Sequence, residues 1–211
     1  ITAGSDFALL VDTMSAGRDD SRLMEIALDV RGRIQSHPAP ERWLREQEEV
    51  FALEGVADAG ETPWGRLLLA DARRQADYWA GRMLGLLELA EGDEALEKAY
   101  SPSIQATMNA LLALSAATQG GWDETVEKMG GVAFSRLGPA RNVEDEEAQA
   151  RIKTLRDQCK RRMEKLSALF ADTSEGLLED MGAVYPAIRG LFALVGDLEE
   201  AYTTLKRRRG V

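Results

Sequence analysis

A chain of 211 residues and 23.2 kDa can bury a full core, as one large domain or two small ones, and 45% hydrophobic with 29% charged residues is the balance of a soluble globular protein. No apolar run approaches the roughly 20 residues that span a bilayer, and ITAGSDFALLVD is not the basic-then-apolar pattern of a signal peptide. The net charge of -10 argues against a simple nucleic-acid binder, whose affinity rests on neutralising phosphates, but residues 1–150 carry -13 and residues 151–211 carry +3, so the acidic total hides a basic C-terminal third.

Helix signals recur along the chain. In DSRLMEIALDVRGRI, Leu23, Ile26, Val30 and Ile34 follow one another at helical spacing behind a cap at Asp20 or Ser21. SHPAP breaks that helix, because Pro38 and Pro40 cannot sit in a helix interior, and Pro40 suits the first turn of the next, ERWLREQEEVFALEG. Thr62-Pro63 opens a long helix closed by Gly92, and Asp93 starts another. Ser101-Pro102 is expected to interrupt or restart that one before SIQATMNALLALSAAT runs to Gly120-Gly121. A short helix from an Asp123 cap follows.

VAFSRLGPARN, residues 132–142, lacks a helical period and reads as an exposed or partly extended loop. From EDEE a long helix runs to about Ala171, its acidic first turn placed where the helix dipole favours it. Asp172-Thr173-Ser174 caps the last helix, which Pro186 is expected to kink. No strand alternation persists, and no period of 30–45 residues repeats. The expectation is an all-α fold of about seven to nine helices in a single domain, residues 1–211.

Catalytic signatures are scarce. No GxxxxGK[ST] phosphate loop and no GxGxxG is present. His37, the sole histidine, lies in the SHPAP break, where a turn or capping role is the natural reading. One Cys and one His argue against a zinc site, and the single Cys159 fits a reducing, cytoplasmic setting. Cys159 falls on an apolar helix face and reads as a buried structural thiol. Asp19-Asp20 and Glu144 to Glu147 read as solvated or helix-start charge.

The feature with functional slant is RIKTLRDQCKRRMEK, which carries seven basic residues: Arg151, Lys153, Arg156, Lys160, Arg161, Arg162 and Lys165. At 100° per residue, Ile152, Leu155, Cys159, Met163, Leu166 and Phe170 form a buried arc. Lys153, Arg156 and Lys160 then line one flank, and Arg151, Arg162 and Lys165 the other. Such a pattern suits an ordinary surface helix, whose basic stems cover apolar surface. It also suits a phosphate-contacting face, to which Arg136 and Arg141 of the preceding loop could add.

FALLVDTMSAGRDDSRL, SHPAPERWL, VAFSRL, IKTLRDQCKRRMEKL and YPAIRGLFALVGDLEEAYTTLKRRRGV, in this order and spacing, resemble the helical 1B region of AddA, one of the two proteins of bacterial AddAB helicase-nucleases, in the UvrD/Rep-like superfamily 1 helicases. The likeness spans nearly the whole chain. It is sharpest at Ser36, His37, Pro38, Pro40, Glu41, Trp43 and Leu44 and at the closing LKRRRG. It implies an insertion in a RecA-like motor domain. The ATP- and Mg-binding motifs and the nuclease domain would lie elsewhere in the parent, with no cofactor, metal or catalytic residue in this segment.

The start at Ile1 and the stop after a basic run fit such an excised piece. The resemblance further implies two partners, a non-sequence-specific duplex DNA end and an AddB-like protein, in an ATP-dependent 3′–5′ helicase and exonuclease acting in double-strand break repair. Expected DNA contacts are Arg136, Arg141, Arg151, Lys153, Arg156, Lys160 and Arg161. A scaffold docking on AddB or the nuclease domain is the rival reading. A helix-turn-helix regulator would instead need base-reading side chains on a short recognition helix. Lys206 to Arg209 are expected in the last helical turns with Gly210 as their cap, not in a DNA-binding tail.

Overall fold

The computed structural model describes residues 5–14 and 21–210, and among these every regular element is helical. Eight α-helices follow in order: α1 Asp6–Met14, α2 Ser21–Ile34, α3 Pro40–Val50, α4 Pro63–Glu91, α5 Glu94–Ala117, α6 Trp122–Gly130, α7 Glu146–Ser167 and α8 Ser174–Arg209. Single 3-10 turns precede α4 at Ala59–Glu61 and follow α7 at Ala168–Phe170. The expected cap at Asp20, and Asp19 with it, lie outside the described residues.

The chain divides into two compact units, residues 1–55 with 178–211 and residues 56–177. In the first, α1, α2 and α3 lay their apolar faces on α8. Leu10, Leu23 and Ala187 form one buried cluster and Ala27, Ile34 and Val195 a second, with Leu191 and Leu194 packed against both. Arg189 lies exposed at the rim, pairing with Asp6 at 3.0 Å and Glu48 at 3.8 Å. Arg31 pairs with Glu199 at 2.7 Å and lies over the Tyr202 ring. At Gly190 the backbone of α1 comes so close that a Cβ would stand 2.6 Å from the Asp6 carbonyl oxygen, which explains the missing side chain.

Among the described residues α8 alone is long and apolar enough to cross a membrane by length and composition. Its apolar character exceeds what the sequence expectation allowed, because its charges cluster towards the two ends and residues 181–196 carry only Arg189. Ala187 and Val195 on it are buried against neighbouring helices.

The second unit is built on α4 and α5, which pack along their length. Ala72, Ala76 and Ala80 recur every four residues on α4, and with Met83, Leu86 and Ala90 they form one buried stripe. Small residues there let Leu96, Ile104, Leu111 and Leu114 of α5 come close. Each large apolar side chain removed from water in this way contributes about 1.5–3 kcal/mol.

Proline and cap chemistry sets several boundaries. Pro40 and Pro63 occupy first-turn positions, and the Thr62 hydroxyl accepts from Gly65 N at 2.9 Å. Trp122 lies at the centre of the unit, 1% exposed, stacked on Phe170 at 4.6 Å and edge-on to Trp64 at 6.0 Å.

Three local expectations are corrected. Helix α3 stops at Val50, and Phe51 to Gly55 turn away, with Gly55 at φ +76°. Pro102 does not interrupt α5, which continues through it, because the burial of Tyr100, Ile104 and Thr107 on either side outweighs one lost backbone hydrogen bond. Pro186 also lies within a helix, α8, that runs unbroken from Ser174 to Arg209. The residue at the N-cap of α6 is Gly121, at φ +116°, and not Asp123. Asp123 instead accepts from Ser174 N at 2.6 Å and so serves the start of α8.

Candidate nucleic-acid interface

Helix α7 begins where Asp145 accepts from Ala148 N at 2.8 Å, and Glu146 and Glu147 place negative charge at the positive end of the helix dipole. Ala148, Ile152, Cys159, Met163 and Leu166 point inward, followed by Phe170, and α7 packs on α4. Burial in this apolar stripe pushes the Cys159 thiol up to about 12, so the sulfur is a structural thiol, as the sequence led us to expect.

Arg151, Lys153, Lys160, Arg161, Arg162 and Lys165 remain exposed around the outer face. Arg162 leans to α4 and donates to Gln75 Oε1 at 2.8 Å. Lys160 makes only a long contact, 3.9 Å, with Glu164, both half-exposed or more. Pairs of this kind contribute little in water and leave the ammonium available to another anion.

Arg156 behaves differently from its neighbours. Only 9% exposed, it turns inward, and its Nη2 donates to Ser103 Oγ at 2.8 Å and to the Ser135 carbonyl at 2.6 Å. The guanidinium lies 5.6 Å from the centroid of Phe134, and its Nε is buried without a protein partner. Burial lowers its pKa from the ordinary arginine value. Helical arithmetic puts Arg156 at the margin of the buried stripe, about 40° from Ile152 and about as far from the stripe's centre as Leu155, which is half-buried on the opposite margin; its contacts with Ser103 and Ser135 turn it inward. The flank position expected from the helical period is thus kept, but the side chain folds in over the strap instead of out into water.

The segment 132–142 has no regular secondary structure, as expected, but it is an ordered strap, not simply an exposed loop. Ser103 and Ser135 hydroxyls lie 2.7 Å apart, Thr107 Oγ1 donates to the Ala133 carbonyl at 3.2 Å, and Gly138 N donates to the Ala99 carbonyl at 3.2 Å. Beyond it, Asp93 ties down the entry to α7. Its Oδ2 accepts from Glu144 N at 2.7 Å and Asp145 N at 3.1 Å, while Oδ1 caps α5 through Ala95 N and Leu96 N. The bond from Asp145 N leads these four donors in holding the Asp93 carboxyl below the usual aspartate range, against the opposing effect of desolvation. Asp93 was legible as a helix start, but its second role across 51 residues of chain carries no sequence signal.

Between these anchors Arg136 and Arg141 are exposed, with Asn142 at φ +58° just after. Since Arg156 reaches the strap from the flank of α7 that also bears Lys153 and Lys160, the strap lies on that same side. Six of the seven candidate residues are therefore exposed cations on α7 or the strap, and the seventh joins the two.

The other candidates fall elsewhere. His37 forms the turn after α2, its N–H donating to Ile34 O at 2.9 Å and its ring stacked 4.7 Å from Trp43. Lys206 to Arg209 form the last turn of α8, with Gly210 at φ +72° ending the helix and Lys206 4.9 Å from the Tyr202 ring. Among the described residues no cluster of three or more His, Cys, Asp or Glu could hold a metal ion.

No protein-family profile matches the chain. Curated relatives do. The A-subunit of an ATP-dependent helicase/nuclease from Acetivibrio thermocellus is 30% identical over 98% of this chain and 17% of its own length. The protein of the same name from Geobacillus thermodenitrificans is 29% identical over 97% of this chain, and that of Bacillus mycoides 28% over all of it. The chain thus spans about 17% of the length of the relatives it matches.

Proposed function

Because this chain belongs, as a segment, to the family of ATP-dependent helicase/nuclease A-subunits, we propose that it is the helical 1B insertion of an AddA-type DNA helicase and exonuclease, and that it contacts the duplex ahead of the motor. ATP and Mg would be handled by the motor domain of the parent, and an AddB-like protein would complete the enzyme. The observation that carries the reading is the outer face of α7, where Lys153, Lys160 and Arg161 stand exposed on one rigid helix beside the strap with Arg136 and Arg141.

A sequence-independent contact needs cations spaced along a backbone and no base-reading groups, and this face supplies that. Asp157 and Glu164 interrupt the positive stripe, so the contacts are discrete phosphate contacts and not a continuous basic groove. The acidic residues 1–150 would face solvent or the rest of the parent enzyme.

The test is Lys153→Glu, Lys160→Glu and Arg161→Glu together in the complete parent enzyme. Weaker duplex-end binding and slower unwinding, with single-stranded DNA-stimulated ATP hydrolysis retained, are expected. Unchanged end binding and unwinding at moderate salt would refute the reading.

A second reading, docking on another domain or on the AddB-like protein, is supported by Leu67 and Tyr78 on α4. They are 72% and 57% exposed and eleven residues apart, hence on one face. Loss of AddB binding in Leu67→Ser with Tyr78→Ser, without loss of DNA binding, would favour it.

A further inference from the structure

We propose that Arg156 is a positioning residue: it does not touch phosphate itself but clamps the 132–142 strap to α5 and α7, so that Arg136 and Arg141 are presented in fixed register beside Lys153 and Lys160. This rests on the duplex-contacting reading above. An aperiodic eleven-residue segment on a helical surface has no ladder of its own to satisfy its backbone groups, so its order must come from side chains beneath it. Here that support is concentrated. One buried guanidinium donates to the strap at the Ser135 carbonyl and to α5 at Ser103 Oγ. Ser103 in turn meets the Ser135 hydroxyl, and Thr107 holds the Ala133 carbonyl.

Arg136 is the residue directly after the clamped carbonyl, so its backbone is fixed where its side chain leaves the surface. Gly138 lets the strap descend onto α5. A Cβ there would stand 2.8 Å from the Ala99 carbonyl oxygen, and Pro139 follows to keep the backbone extended. Asp93 closes the far end through Glu144 N and Asp145 N. A cation on a mobile loop pays the entropy of ordering when it meets a phosphate, whereas one on a clamped strap has already been ordered by folding.

Two readouts separate the clamp from the DNA reading. The first needs no DNA: limited trypsin cleavage after Arg136, an exposed arginine that the clamp should protect. Arg156→Gln, with helicity unchanged by circular dichroism, is expected to speed cleavage at least tenfold: it removes both charge-assisted hydrogen bonds, and a single one at the low end of about 1.5 kcal/mol already corresponds to that population change. Ser103→Ala, a milder change, is expected to give a smaller increase in the same direction. Cleavage after Arg136 unchanged in both variants would overturn the clamp, whatever DNA binding shows.

The second is the salt dependence of binding to a blunt DNA duplex by the complete parent enzyme. Arg136→Ala with Arg141→Ala should lower the slope by about 1.8, two phosphates at roughly 0.9 each. Arg156→Gln should lower it in the native background and have no further effect in the doubly substituted one. A fully additive loss would mean that Arg156 binds phosphate directly and would overturn the proposal. Faster cleavage with no change in slope for any of these variants would leave the clamp standing and overturn its role in DNA contact.

Discussion

Truncating Trp122 to alanine tests the packing that positions the candidate interface. The indole is 1% exposed, stacks on Phe170 at the end of the α7 segment, meets Trp64 of α4 edge-on, and donates Nε1–H to the Asp172 carbonyl at 2.9 Å. One side chain thus joins α4, α6, the turn after α7 and the approach to α8. Replacing a buried tryptophan by alanine costs about 3–5 kcal/mol, transfer and cavity together. That is a large share of the roughly 5–15 kcal/mol that keeps an ordinary domain folded.

Trp122→Phe separates the contributions. It keeps an aromatic ring against Phe170 and loses the hydrogen bond and part of the volume, for about 1–2 kcal/mol. Urea unfolding followed by ellipticity in the far ultraviolet gives both values, and amide exchange across α4, α5, α6 and α7 shows where the loss falls. Fast exchange should spread through α4, α5, α6 and α7 in Trp122→Ala. A cost below about 1 kcal/mol for the alanine variant, or exchange changes confined to α6, would refute the view that this residue ties the unit together.

Two further outcomes follow from the electrostatics. The Asp93 carboxyl is held below the usual range by four backbone donors, so the stability it contributes is fully present above the ordinary aspartate pKa and is lost as pH falls through the lowered folded value. The Glu144 and Asp145 amide resonances should therefore shift together only in strongly acidic solution, and in Asp93→Asn that transition should disappear. Cys159, raised to about 12 in its apolar stripe, should resist iodoacetamide in mildly alkaline buffer in the native protein and react promptly in urea. Equal rates in both conditions would contradict its burial.

How much of this was readable from sequence depends on how local the cause is. Pro40, Pro63 and Thr62 act within one helical turn, so the starts of α3 and α4 follow from the residues alone. The Asp145 cap, the Thr173 carbonyl accepting from Leu177 N, and the Gly210 stop are of the same kind. Pro102 shows where local rules yield: tertiary burial of Tyr100, Ile104 and Thr107 carries the helix through a residue that lowers its intrinsic propensity.

Asp123 and Asp93 show the opposite failure. Each has the chemistry of a cap, but Asp123 spends its carboxylate on Ser174 N, 51 residues away, and Asp93 caps α5 while also holding the start of α7. Nothing in the residue spacing encodes which donor arrives. The candidate site divides the same way. The periodicity of α7 was enough to place Lys153, Lys160 and Arg161 outside, but it leaves Arg156 at the margin of the buried stripe and does not decide whether it turns in or out. Its partners Ser103 and Ser135 lie 53 and 21 residues upstream and become visible only once α5, α7 and the strap are packed.

The most direct test of the interface is the salt dependence of duplex-end binding by the complete parent enzyme, with Lys153, Lys160 and Arg161 changed to alanine together. If each makes one phosphate contact, the slope of log K against log salt should fall in magnitude by about 2.7, three contacts at roughly 0.9 each, with the relative affinities for different end sequences unchanged. A slope equal to that of the unaltered enzyme would contradict the assignment of the outer face of α7 to duplex DNA.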